Sequence, residues 1–89
     1  MVIDPASTFE WRDHSRFVRV SRVATGWLVI WGRYFDLGQT TEIEGTRLYA
    51  SQRGLAERVG AAAAEVTGRG ALAAEATTSF SIWSAHHPG

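Results

Sequence analysis

Hydrophobic and polar positions are patterned most clearly between Arg16 and Phe35. The runs Arg16-Phe17-Val18-Arg19-Val20-Ser21-Arg22-Val23-Ala24 and Trp27-Leu28-Val29-Ile30-Trp31-Gly32-Arg33-Tyr34-Phe35 are both rich in β-branched or aromatic residues, with Thr25-Gly26 between them. Two such runs joined by a two-residue link containing glycine predict a tight antiparallel hairpin, with Ala24 opposite Trp27 and Val23 opposite Leu28. Alternation then sorts the side chains onto two faces. One face carries Phe17, Ser21, Val23, Leu28, Ile30 and Tyr34, with Arg19 opposite Gly32. The other carries Val18, Val20, Trp27, Val29, Trp31 and Phe35, with Arg16, Arg22 and Arg33 among them. A link of different parity would swap one strand's assignments, but both faces stay apolar either way.

The rest of the chain is read around this hairpin. Asp4-Pro5-Ala6-Ser7-Thr8 is turn-prone, so residues 1–14 are expected to form a loose leader. Within it, Phe9 and Trp11 have the period-two spacing of a short strand or strap against the core. Asp36 to Thr40 predicts a turn, and Thr41 to Tyr49 a third strand with a bulge or kink at Gly45. Glu42 and Glu44 share a parity on that strand, which lets them lie beside hairpin arginines as cross-strand pairs worth up to roughly 1 kcal/mol each.

Ser51 is placed to cap a helix from about Gln52 to Thr67, with Leu55, Val59, Ala62, Ala63 and Val66 on one stripe. That stripe is mostly small, which suits a sheet face carrying bulky aromatics. Gly60 costs roughly 1 kcal/mol in a helix relative to Ala, so its presence implies a close backbone approach. Gly68 is a helix stop. The segment from Thr77 to Trp83 carries two patterns. Leu72, Ala76, Phe80 and Trp83 have helical spacing, whereas the alternation of Phe80 and Ile82 together with Thr77 and Thr78 favours a fourth strand, the assignment adopted. Residues 85–89 are expected to be a flexible tail.

The predicted architecture is therefore α+β: an antiparallel sheet of three or four strands with one main Ala-rich helix packed on one face. At 89 residues the chain has room for a single small domain with a thin core. It has no cysteine, which excludes disulfide frameworks, thiolate metal sites and thiol catalysis. Hydrophobic residues make up 45% of it and charged ones 20%, a balance that argues for a folded domain and against disorder. No apolar run reaches the length of a membrane span and no signal-peptide pattern opens the chain, so a cytoplasmic protein is expected. All nine basic residues are Arg and Ala occurs 13 times, a usage that points to GC-rich bacterial coding.

Formal net charge is zero, yet residues 11–33 carry five arginines against Asp13 alone, while residues 34–46 carry Asp36, Glu42 and Glu44 with no basic partner. Neutralisation inside the fold or across a dimer is the expectation, since a duplex-binding module shows a frankly basic domain and this chain has a pI near 6.8. No catalytic residue, metal ligand set or cofactor motif emerges. The histidines (His14, His86 and His87) have no metal-motif spacing, no serine sits in a nucleophile elbow, and the glycines form no phosphate-cradling loop.

What stands out is the second hairpin face. Trp27, Val29, Trp31, Phe35, Val18 and Val20 with Arg16, Arg22 and Arg33 have the aromatic-plus-Arg composition of interface cores. If one helix shields only one face, a second copy covers this one, giving a C2 homodimer that could also receive another protein. Single-stranded nucleic acid is the alternative occupant, with bases on the rings and phosphates on the arginines. A third reading has Phe9, Trp11, Trp83 or the C-terminal segment fold over this face within the monomer. A ligand pocket between helix and sheet near Tyr34 and Tyr49 follows only from the general habit of pockets to form there.

Overall fold

The computed structural model describes residues 8–87. Its sheet is an antiparallel meander in the order β1-β2-β3-β4, made of β1 Thr8–Asp13, β2 Arg16–Val23, β3 Gly26–Phe35 and β4 Thr40–Tyr49. Two helices follow, α1 Leu55–Thr67 and α2 Ala73–Ala85, and they form a second layer on one side of the sheet. The fold is α+β, with an open four-stranded sheet.

The central hairpin turns on Ala24-Thr25, with Val23 opposite Gly26, Val20 opposite Val29 and Val18 opposite Trp31. This register differs by two residues from the one predicted from Thr25-Gly26. A slip of two preserves parity, so every side chain stays on its predicted face. β1 is built from the second half of the segment expected to be a loose leader. Its Phe9 lies opposite Val20 and its Trp11 opposite Val18, which places both rings on the face of Trp27 and Trp31. Residues 1–7 of that leader, and residues 88 and 89 of the expected tail, lie outside the described residues.

Against β3, β4 carries a bulge: the register shifts between Trp31, which faces Gly45, and Gly32, which faces Ile43, leaving Glu44 as the extra residue. Beside the bulge, residue 45 must be glycine. The Trp31 indole lies on Gly45 so closely that a Cβ there would strike ring atoms Cε2 and Cζ2 and come within 2.6 Å of Nε1.

α1 starts three residues later than expected, at Leu55, because the chain first turns through Gln52, whose carbonyl accepts the Leu55 amide. Its predicted stripe (Leu55, Val59, Ala62, Ala63 and Val66) is buried throughout, and it stops at Gly68. The segment 77–83 is helical, not the fourth strand expected from its threonines. Helical spacing prevails because it aims Ala76, Phe80 and Trp83 together at the sheet, where Phe80 and Phe9 meet edge to face at 5.3 Å and Trp83 meets Trp27 at 6.4 Å. Burial of two aromatic rings outweighs the few tenths of a kcal/mol by which threonine disfavours a helix.

The two helices touch at Gly60. A Cβ at this position would strike Thr77 Oγ1 and come within 2.7 Å of the Ala73 carbonyl oxygen. The glycine is there for interhelical approach, as its cost in a helix implied. Gly60→Ala is therefore expected to lower the thermal midpoint by about 5–10 °C, because overpacking of about 1–3 kcal/mol exceeds the gain in helix propensity. A midpoint equal to or above that of the parent chain in calorimetry would show that the helices are not this close.

Candidate functional site

The face assigned to a partner on sequence is the face that the chain's own helices take. Val18, Val20 and Val29 are completely or almost completely buried, Trp27 is 6% exposed, and all four belong to the core with Phe9, Trp11, Leu55, Val59 and Phe80. Trp31 is partly buried at the edge of that core. Phe35 lies beyond it, 37% exposed, with the Arg33 guanidinium 4.9 Å above its ring. The physical reason is that two helices, not one, are available, and both carry their apolar stripes to the side with the larger rings. The expectation that a second copy covers the Trp27 and Trp31 face is thus corrected to cover within the monomer, with Phe9, Trp11 and Trp83 taking part.

The arginines of that face are also accounted for. Arg16 Nη1 donates to Glu44 Oε2 at 3.1 Å and Arg33 Nη2 donates to Glu42 Oε1 at 3.3 Å. Arg33 Nε lies 3.4 Å from Glu44 Oε2, close enough for ion pairing without a formed hydrogen bond. The bulge at Glu44 keeps both carboxylates on the helix side of the sheet, so the basic and acidic stretches of the sequence neutralise one another across three strands. Arg22 remains exposed, with its guanidinium 5.8 Å from the Trp27 ring. A phosphate-tracking row of Arg16, Arg22 and Arg33 does not form.

Among the described residues, no helix packs on the opposite face of the sheet. Its β1–β2 half closes itself. Phe17 is fully buried because the Tyr34 ring packs on it at 4.7 Å and the Arg19 guanidinium at 4.9 Å, while Arg12 lies 4.4 Å over Tyr34. Glu10 Oε1 ties this lid together, accepting from the Tyr34 hydroxyl at 2.6 Å and from Arg19 Nη2 at 3.1 Å. Arg19 Nη2 also donates to the Tyr34 oxygen at 2.8 Å. Among the described residues, the β3–β4 half has no such lid. Leu28 stands opposite Leu48, with Ile30 and Ile43 along the same face. Leu28 and Ile30 are half-buried, while Leu48 is 52% and Ile43 49% exposed. This bare aliphatic strip was visible in the sequence as Leu28 and Ile30 of the first face; Ile43 and Leu48 were missed because the third strand was read for its glutamates.

A groove opens on the helix side where the helical layer ends. α1 lies over β2 and β3, and α2 over β1. Between α1 and β4, Trp31, Arg47, Tyr49, Arg58 and Glu65 line a groove of about 460 Å³. The Arg58 guanidinium sits 5.4 Å from the Tyr49 ring. Of the pocket expected between helix and sheet near Tyr34 and Tyr49, Tyr49 lines this groove, whereas Tyr34 belongs to the lid on the opposite face. Arg47 and Arg58 were not assigned to a site on sequence, since strand and helix spacing alone give no sign that two distant segments meet.

Among the described residues, no group of three or more His, Cys, Asp or Glu side chains could hold a metal ion, and no helix is long and apolar enough to cross a membrane. His14 is exposed beside Asp13, and His87 stacks on Trp83 at 4.3 Å. Comparison of the chain with protein-family models, with curated proteins and with solved structures gave no match.

The lid has a pH signature. Partial burial, reinforced by the hydrogen bond to Glu10 and opposed by Arg19, holds the Tyr34 phenol above its ordinary value near 10. Burial works to lower Arg19, but the hydrogen bonds and charges of Tyr34 and Glu10 outweigh it and raise that group as well. The fold favours the protonated phenol. Its contribution to stability is therefore complete below about pH 10 and is lost as pH rises through the higher folded value. Denaturant unfolding across the alkaline range is expected to show a steeper loss for the parent chain than for Tyr34→Phe. Parallel curves would mean that Tyr34 is not held by this network.

Proposed function

We propose that the protein is a non-catalytic association module that forms a homodimer through the open face of its sheet. The observation that carries the reading is the strip of Leu28, Ile30, Ile43 and Leu48 on a face that, among the described residues, no helix covers. A second copy is favoured as occupant for three reasons. The strip carries no charge, and the chain has no net charge to repel its twin. A two-fold axis through the strip sets apolar residues on apolar residues and leaves each copy's Glu10–Arg19–Tyr34 lid at the perimeter, the polar-rimmed anatomy of stable interfaces. The two strands, at about 4.8 Å spacing and ten residues long, give a flat footprint on the order of 300 Å², the apolar centre of an interface whose rim must supply the rest of the roughly 800 Å² of accessible surface per partner in an ordinary stable interface. The setting we infer is a bacterial cytoplasm, consistent with the coding bias.

Light scattering coupled to size exclusion is expected to give twice the chain mass of 9.8 kDa, with little change between low and moderate salt. Leu48→Glu places a carboxylate in the strip and should weaken the dimer by roughly 30-fold or more, equivalent to about 2 kcal/mol, with circular dichroism unchanged. Arg22→Glu, on the helix side, should leave the dimer intact. A parent chain that elutes as a monomer at the highest concentration at which it stays in solution would overturn the reading, as would a Leu48→Glu variant as dimeric as its parent.

A further inference from the structure

The groove between α1 and β4 is on the other side of the sheet from the proposed dimer face, and its chemistry is different. Trp31 and Tyr49 supply two aromatic rings, and Gly45 is the residue that lets the Trp31 indole lie down against β4. Two arginines border these rings without a carboxylate held against either of them. Arg16, Arg19, Arg33 and Arg69 are each paired with a carboxylate; Arg47 and Arg58, like Arg12, Arg22 and Arg53, have no ion-pair partner among the described residues, and these two border one groove. Among the described residues, Glu65 is the single carboxylate lining the groove, against two arginines, which leaves one positive charge in excess.

We infer that this groove binds a 5′-nucleotide, with the base against Trp31 and Tyr49 and the phosphate held by Arg47 and Arg58. Each component of the site matches one part of that ligand. Aromatic rings take a base of any identity by stacking. Two guanidiniums offer the planar donor forks that suit phosphate oxygens. Glu65 can only accept when ionised, which repels a second phosphate but suits the hydroxyls of a ribose. The volume, about 460 Å³, falls in the range of small-molecule sites. A nucleic-acid platform of Trp27, Trp31, Arg16, Arg22 and Arg33 does not assemble, because Trp27 is buried and Arg16 and Arg33 are ion-paired; Trp31 is the one residue common to that platform and this groove. The nucleotide can be free or one unit of a single strand, since the same contacts serve both.

The test is nuclear magnetic resonance titration of the full chain with AMP, with an eight-nucleotide oligoribonucleotide and with inorganic phosphate, at low and moderate salt. AMP or the oligonucleotide should produce saturable shifts at the Trp31 indole N–H and the Gly45 amide, weakened by added salt. Saturation by AMP identifies a free nucleotide site; saturation by the oligonucleotide alone identifies a single-strand site; either supports the inference. Arg47→Ala and Arg58→Ala should each weaken binding about tenfold, while Arg12→Ala, on the opposite face, should leave it unchanged. Glu65→Gln should preserve the fold and reduce the preference for AMP over its 2′-deoxy counterpart, because the acceptor for the hydroxyl is weakened. The inference is overturned by the absence of saturation with both nucleotide probes, by equal shifts with inorganic phosphate, or by Arg47→Ala and Arg58→Ala variants that bind as the parent does. A monomeric parent chain that binds AMP would refute the dimer and leave this site standing.

Discussion

The structure depends on a match of volumes across the joint between helix and sheet. α1 presents alanine, valine and one leucine, and the sheet beneath presents Val18, Val20, Trp27 and Val29. Small residues on one side let the backbone come close enough for large residues on the other to be enclosed, so a chain with a thin core still reaches near-complete burial at its centre. α2 extends the same arrangement with its own rings, and Gly60 allows it to lie directly against α1. Without that approach, Phe80 and Trp83 could not reach Phe9 and Trp27 while α1 kept its place.

The same closeness decides what is left uncovered. Two helices in contact lie about 8 Å apart, whereas the outer strands of a four-stranded sheet are about 14 Å apart. The layer therefore covers β1 to β3 and ends short of β4, whose residues are all exposed or half-buried. Both surfaces suited to a partner border this strand. The aliphatic strip is on its outer side and the Trp31–Tyr49 groove on its inner side. The proposed association and the inferred ligand site both rest on a helical layer one strand too narrow.

Electrostatics reinforce the arrangement without driving it. The basic hairpin and the acidic strand that follows it meet through Arg16, Arg33, Glu42 and Glu44, and these half-exposed pairs are individually worth at most about 1 kcal/mol. Their larger effect is to neutralise Arg16 and Arg33, while Arg47 and Arg58 at the groove have no carboxylate partner among the described residues. On the other face, Glu10 is the carboxylate around which a tyrosine and an arginine close over Phe17, turning half of an apolar sheet face into a polar one.

Features governed by neighbours along the chain or by strand parity were legible in the residues: the membership of each hairpin face, the buried stripe of α1, the bulge at Gly45, the tight approach at Gly60 and the pairing of Glu42 and Glu44 with arginine. A two-residue error in register did no harm to the face assignments, because side chains alternate with a period of two. What three dimensions alone settled is which face the helices would choose. Alternation cannot decide this when both sides of a strand are apolar; it is decided by the summed volume of rings contributed by β1 and α2, segments whose local patterns were weak or divided between strand and helix. The groove is of the same kind. Arg47 and Arg58 are ordinary surface positions on a strand and a helix, and only the packing of α1 beside β4 makes them neighbours.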